Sequence, residues 1–161
     1  MSKVVITSLF FLIFLFAVTP AGAIDLKGFN DLTKIMDSAK VVEADVFAPK
    51  NWGKASKAFS NAQKAINANK NQKNINKSVK KSREYVEHAI RAAEVAKLSL
   101  QDYLLPREKA KEAKASTLVA ELYLKAEAQF KKATAKVESG DVKGGLKEAK
   151  KSVPMFDIAE M

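Results

Sequence analysis

The chain has 161 residues, with 28 Lys and Arg against 18 Asp and Glu, a formal net charge of +10. It contains no cysteine and a single histidine, His88. These counts exclude disulfide frameworks, Cys/His zinc sites, iron–sulfur clusters and cysteine nucleophiles, because each needs several such ligands or a thiolate beside a base. The length favours one domain, and 47% apolar residues are enough to bury a core.

Residues 1–23 have the pattern of a secretory signal peptide. Lys3 supplies the positive start, residues 4–18 are almost all apolar, and residues 20–23 read Pro-Ala-Gly-Ala, a helix break that ends in an Ala-x-Ala cleavage pattern. We therefore expect an exported protein of the periplasm or cell envelope that begins at Ile24 after cleavage. The alternative is an uncleaved inner-membrane anchor, although the apolar run is shorter than the roughly 20 residues that span a bilayer.

The rest of the chain, residues 24–161, shows helical periodicity. Small and apolar residues recur every three or four positions, and no useful stretch alternates with a period of two. Helix boundaries are marked by Ala48-Pro49 and by Ser139-Gly140-Asp141, because proline restricts the residue before it and glycine favours a left-handed C-cap. The pattern predicts five helices: 26–47, 50–68, 73–104, 107–138 and 142–156.

Two further prolines bear on these helices. Leu105-Pro106 fits either a tight turn or a kink in one long helix, because proline removes a backbone hydrogen bond and clashes with the preceding turn. Pro154 is expected to break or bend the last helix near its end. The third helix carries a heptad seam that predicts a buried face along its whole length. The seam consists of Ile75, Val79, Ser82, Val86, Ala89, Ala93, Ala96, Leu100 and Tyr103.

An internal repeat organises the chain. The pattern Trp52-Ala55-Phe59-Ala62-Ile66 recurs, shifted by 71 residues, as Tyr123-Ala126-Phe130-Ala133-Val137. Each copy is followed by a turn and a second amphipathic helix. The repeat predicts an all-α fold of two tandem antiparallel helical hairpins, coiled-coil-like or bundle-like, plus a leading helix. The expected parts are a leading helix at 24–48, a first hairpin at 49–104 and a second hairpin at 105–161.

The second copy differs from the first at one boundary. It has Ala120 where the first copy has the helix-starting Pro49. Since alanine favours a helix and proline interrupts one, we expect the helix of the second copy to run through this position without a break.

The first copy opens with a motif that resembles a known family. Phe47-Ala48-Pro49, followed by Ala55, Phe59 and Ala62, resembles the Tyr/Phe-Ala-Pro signature of an uncharacterised alanine-rich helical-hairpin domain of bacterial envelope lipoproteins and outer-membrane-protein-A-like proteins. Residues 113–160 are similar to the same unit. The resemblance implies a helical module of the cell envelope and supplies no catalytic residues. The chain departs from the family in having no lipidation cysteine.

The net charge is concentrated in the first hairpin. No acidic residue lies between Asp45 and Glu84, whereas ten basic residues do. Such a cluster attracts anionic surfaces over about a Debye length, roughly 10 Å at 0.1 M salt. The alternative interpretation is a solvated helix face whose lysines reflect an AT-rich coding sequence. We predict that the anionic-surface contact consists of Lys70, Lys73, Lys77, Lys80, Lys81 and Arg83.

We expect no catalytic, metal-binding or cofactor-binding residues. His88 and Glu84 share a helix face, where a surface pair is more typical than a metal site, and Glu108 and Glu112 stand among lysines as on a solvated face.

The sequence therefore predicts a non-enzymatic structural or interaction module. Its expected partner is an envelope protein or an anionic lipid or wall polymer. Export disfavours nucleic acid as a partner. Membrane contact is expected to be at most peripheral after cleavage, and a homo-oligomer is compatible with the pattern. The alternative is a helical carrier that holds a small amphiphile between its hairpins.

Overall fold

The computed structural model describes residues 26–161, so the predicted signal segment at 1–23 lies outside the described residues. These residues form eight α-helices and no strand. The predicted all-α class is therefore confirmed. A short 3₁₀ helix, Gln101–Tyr103, separates α4 from α5. The helices are α1 (Lys27–Val41), α2 (Ala44–Phe47), α3 (Pro49–Asn67), α4 (Gln72–Ser99), α5 (Leu104–Glu112), α6 (Ala115–Leu118), α7 (Ala120–Val137) and α8 (Val142–Glu160).

Two antiparallel hairpins form the body of the fold. Helix α3 packs along α4, and α7 packs along α8. Asn69 and Gly140 take positive φ angles of 47° and 86° in the two turns. The side chains of Asn71 and Asp141 then accept hydrogen bonds from the N–H groups three residues on, at 3.0 and 2.9 Å, which caps α4 and α8. Helix α1 packs on α4, and α5 packs on α8.

The buried face of α4 follows the predicted seam. Every seam residue from Ile75 to Leu100 is buried, and Tyr103 is half-buried. Small side chains on this face bring α3 and α4 close together, so that the hydroxyl of Ser82 donates to the carbonyl of Ala55 at 3.0 Å. Close contact along alanine-rich faces is what holds each hairpin together.

The two helices predicted at 26–47 and 107–138 are both broken, and at equivalent places. Glu43 and Lys114 take left-handed conformations with φ of 53° and 57°. A four-residue helix follows each of them, and the chain then leaves the helical conformation at Ala48 and Val119, with φ of −138° and −134°. The expectation of a continuous helix in the second copy is therefore wrong, because the break recurs without proline and begins upstream, at the left-handed residue.

The prolines behave differently from each other. Helix α4 ends at Ser99, and Pro106 lies in the first turn of α5, where its missing N–H is not needed. The predicted helix at 73–104 therefore ends early, and the interruption falls at residues 100–103, so neither a tight turn nor a helix kink lies at Leu105-Pro106 itself. Helix α8 continues past Pro154 to Glu160, so the predicted end at 156 is wrong. The buried Phe156 and the packing of α8 on α5 keep this last segment helical.

Gly145 lies at a close contact between α7 and α8. An ideal Cβ at this buried position would lie 2.5 Å from Cγ2 of Val137 and 3.1 Å from the carbonyl oxygen of Ala133. We expect Gly145→Ala to lower the free energy of unfolding by about 1–3 kcal/mol, because the added methyl overpacks the interface. Urea denaturation measures the change.

Gly53→Ala in α3 is the matched control. A Cβ at Gly53 meets no atom within 4 Å. The alanine is therefore expected to stabilise the protein by about 0.5–1 kcal/mol through helix propensity alone. If both substitutions stabilise the protein equally, close packing at Gly145 is ruled out.

Candidate functional site

The six predicted contact residues lie together at the far end of the first hairpin. Lys70 lies in the turn before α4, and the other five lie in the N-terminal part of α4. The five lysines are exposed, and Arg83 is half-buried. We call this set the basic face: Lys70, Lys73, Lys77, Lys80, Lys81 and Arg83.

The basic face points away from the core. Helical residues advance by about 100° each, so Lys73, Lys77 and Lys80 fall in one stripe about 60° wide. This stripe lies on the opposite side of α4 from the buried Ile75 and Val79. These three lysine side chains therefore reach solvent from one side of α4.

Two surface clefts border the basic face. One cleft, of about 450 Å³, lies between α3 and α4, and the other, of about 350 Å³, lies between α1 and α4 beside Lys80 and Arg83. Lys73 and Lys81 line neither cleft. Three ammonium groups with amide and hydroxyl groups make the first cleft suited to an anionic group. Its polar lining consists of Lys64, Lys70, Lys77, Asn61, Asn74 and Ser78.

The charge of the basic face is not compensated locally. No cation of this face forms an ion pair within residues 26–161. In the second hairpin, by contrast, lysines pair with nearby carboxylates, as in Lys125–Glu121 at 2.7 Å and Lys136–Asp141 at 3.1 Å. The basic face therefore remains a concentrated source of positive potential.

A second cluster of charges lies where the two repeats meet. Arg107 of α5 is 2% exposed; its Nη2 lies 2.9 Å from Oε1 of Glu43, and its Nε lies 2.6 Å from Oε1 of Glu127. The Nζ of Lys111 contacts the same Glu43 oxygen at 2.8 Å. We call this set the arginine cluster: Arg107, Lys111, Glu43, Glu108 and Glu127.

Two aromatic rings flank Arg107. Its guanidinium carbon lies 5.6 Å from the ring centroids of both Phe47 and Phe130. These rings meet edge to face, with their centroids 5.8 Å apart. The remaining Nη1 donates to Glu43 and Glu108 at 3.4 and 3.3 Å. The guanidinium is thus fully engaged, and its role is to join the first repeat, through Glu43 and Phe47, to the second.

The sequence analysis missed this cluster. Glu43 and Glu127 lie 64 and 20 residues from Arg107, so no local spacing rule connects them. One signal was present in the repeat. Arg107 stands 71 residues after Met36, a buried apolar residue of the first copy. A charge in the place of a buried apolar residue indicates a buried ion pair.

The cluster shifts the pKa values of its members. Burial alone would raise the pKa of Glu43, but the hydrogen bonds and charges of Arg107 and Lys111 outweigh it and lower that pKa to about 2. Burial opposes the charge of Arg107, yet the two partner carboxylates raise its pKa above the ordinary value. Burial and the Glu127 carboxylate raise the pKa of Tyr123, whose hydroxyl donates to Oε1 of Glu127 at 2.9 Å.

The lowered pKa of Glu43 makes acid a probe of the cluster. Because the folded-state pKa lies near 2, below the ordinary 4.5, the stabilisation is present above about pH 5 and is lost as the pH falls toward 2. After solvent screening of this partly exposed carboxylate, we expect a contribution of about 1–2 kcal/mol. Glu43→Gln should therefore be less stable than the parent at pH 6 and should lose less stability on acidification. Urea denaturation measures the free energy of unfolding of both proteins across this pH range. An equal loss of stability in both would contradict the lowered pKa of Glu43.

The remaining sequence candidates, His88 and Glu84, lie on α4. The sequence suggested a surface pair of His88 with Glu84, but the structure of residues 26–161 does not contain this pair. His88 is exposed, and its Nδ1 lies 3.3 Å from Nη2 of Arg91. Among the described residues, no group of three or more His, Asp or Glu side chains is placed to hold a metal ion. The uncompensated charge of the basic face makes it the candidate for contact with another molecule.

Two further searches, for membrane-spanning helices in residues 26–161 and for similar proteins, found no match. No helix within residues 26–161 has the length and apolar character needed to cross a membrane. No protein-family model, curated protein or solved structure matches this chain significantly. Function is therefore inferred from the charges and the packing of the chain itself.

Proposed function

We propose that this chain is a non-enzymatic, exported protein of the cell envelope whose basic face binds anionic groups, such as the phosphates of lipids or wall polymers. The observation that carries the proposal is the basic face itself, six cations at one end of the first hairpin without an ion pair in the described part of the chain. The predicted signal peptide and the resemblance to envelope helical-hairpin domains supply the location.

The expected binding is diffuse and reversible. Lysine is a flexible, hydrated point charge, so it favours a surface rich in anions over one geometrically defined phosphate. Each cation near an anionic surface contributes about 1 kcal/mol, which gives the basic face an association constant on the order of 10⁴ M⁻¹. Binding of this strength holds the protein at a dense anionic surface without a stoichiometric complex.

The amphiphile-carrier alternative has less support. A carrier needs an apolar cavity between the hairpins, but where the two repeats meet the side chains of Phe47, Phe130 and Thr134 are buried and in contact across the interface. An apolar cleft of about 430 Å³ does lie at the start of α7, beside Val119 and Leu122, but it is open to solvent. Such a surface suits a packing partner better than an enclosed ligand.

Co-sedimentation with lipid vesicles tests the proposal. The chain from Ile24 onward is mixed with vesicles of neutral phosphatidylcholine or of phosphatidylcholine and phosphatidylglycerol in equal amounts. We expect binding to the anionic vesicles alone at about 0.05 M NaCl, and at least tenfold weaker binding at about 0.5 M, because the Debye length falls from roughly 14 Å to roughly 4 Å. Equal binding to neutral vesicles, or binding that persists at high salt, would rule out charge-driven contact and favour the carrier.

A further inference from the structure

The two repeats meet in an interface that can be described residue by residue. The ring of Phe47 from α2 contacts Phe130 of α7. The hydroxyl of Thr134 in α7 donates to the carbonyl of Val46 at 2.6 Å. The carboxylate of Glu138, at the end of α7, accepts hydrogen bonds from the N–H groups that start α3, at 2.8 and 2.7 Å. One side of α7 in the second repeat therefore covers the α2–α3 corner of the first.

The equivalent corner of the second repeat is uncovered. A shift of 71 residues takes Phe47 and Ala48 to Leu118 and Val119, at the α6–α7 corner. Phe47 and Ala48 are 1% and 0% exposed, whereas Leu118 and Val119 are 74% and 41% exposed. The open cleft of about 430 Å³ lies at this corner. The second repeat thus leaves open, at its own corner, the surface that is covered in the first repeat.

The complementary side, on α3 of the first repeat, is partly open: the ring of Phe59 stacks on Phe29 of α1 with centroids 4.9 Å apart, and the rest of this side is half-buried. In α7 the residues Tyr123, Phe130, Thr134 and Val137 are all buried. Their equivalents in α3 are only half-buried. The side-chain types match in order: two aromatic residues, one residue that forms hydrogen bonds and one aliphatic residue. Asn67, with an amide oxygen, stands at the position of Glu138. We call these equivalents the α3 stripe: Trp52, Phe59, Gln63 and Ile66.

We propose that the chain self-associates head to tail, with the α3 stripe of one copy packed against the α6–α7 corner of the next. Each copy carries both halves of an interface that is already formed once within the chain. The lysines of α3, such as Lys57 and Lys64, lie on its opposite side by helical periodicity, so they do not obstruct the stripe. The occupant of the corner is therefore a second copy of this chain.

The contact between chains should be weaker than the contact within one chain. The equivalents of Arg107 and Glu43 in the proposed interface are Met36 and Lys114, which cannot form the arginine cluster. The interface is also heterologous, since two different surfaces meet, so a chain that gains a partner at one end keeps an open surface at the other. We expect linear growth with concentration and no stop at a dimer.

Sedimentation equilibrium over a concentration series tests this proposal on the chain from Ile24 onward. The weight-average mass of the parent should rise steadily above that of a monomer. Leu118→Asp blocks the corner and Gln63→Glu blocks the stripe, and each is expected to weaken association at least about tenfold. Leu98→Asp is the matched control, because Leu98 is 72% exposed and lies outside both surfaces, and it should associate as the parent does.

Mixing the two blocked variants gives the sharpest result. Each retains one intact surface, so an equal mixture should form a 1:1 heterodimer and nothing larger. A parent that stays monomeric at every concentration would overturn the proposal. The proposal would also be overturned if Leu98→Asp weakened self-association as much as the two blocking substitutions, or if the mixture formed no heterodimer. These results do not involve vesicle binding, so they leave the function of the basic face to its own test.

Discussion

Replacement of Arg107 by methionine is expected to lower the free energy of unfolding by about 3–5 kcal/mol at neutral pH, because a buried ion pair that loses one partner leaves a charge unpaired. Glu43 and Glu127 would remain at the interface of the two repeats without their main countercharge. Methionine keeps most of the side-chain volume and is the residue at the equivalent position, Met36, so lost packing is a minor term. Urea denaturation measures the change, and Arg91→Met, at an exposed site, should stay within about 0.5 kcal/mol of the parent.

Neutral partners separate the effect of charge from the effect of shape. In the triple variant Arg107→Met, Glu43→Gln and Glu127→Gln, the amides no longer need a countercharge, so we expect more than half of the lost stability to return. A triple variant as unstable as the single one would attribute the loss to packing. A single variant within about 1 kcal/mol of the parent would show that the arginine cluster does not join the repeats.

The parts of the fold that could be predicted depend on local patterns. The seam of α4 and the Gly140-Asp141 boundary follow from side chains within one or two helical turns. The breaks at Glu43 and Lys114 could not be predicted, because both residues take a left-handed conformation without being glycine. In the first repeat the break accompanies the burial of Phe47 between the repeats, a tertiary contact that no local pattern encodes.

Of the two charged clusters, one could be predicted from local sequence patterns and the other could not. The basic face could be predicted because its residues follow one another along α4 and the turn before it, and periodicity alone sets Lys73, Lys77 and Lys80 opposite the buried seam. Lys64 was not included, because it joins the cleft from the other arm of the hairpin. The arginine cluster was missed because its members come from three separate segments of the chain.

Reversal of four charges on the basic face is expected to abolish binding to anionic vesicles. Substitution of Lys70, Lys73, Lys77 and Lys80 by glutamate turns the local potential from positive to negative. At about 1 kcal/mol for each cation removed, affinity should fall by about a thousandfold or more. All four side chains are exposed, so the fold should be retained, and circular dichroism with urea denaturation checks that it is.

The matched variant places the same four reversals on the second hairpin, at Lys131, Lys143, Lys147 and Lys150, which are also exposed. Both variants have the same net charge, so a difference between them reports where the charge lies. The decisive measurement is co-sedimentation of the parent and both variants with anionic vesicles at low salt. We predict that the parent binds, that the matched variant binds within about threefold of it, and that the basic-face variant does not bind. Equal loss in both variants, or undiminished binding by the basic-face variant, would contradict the assignment of the basic face as the contact surface.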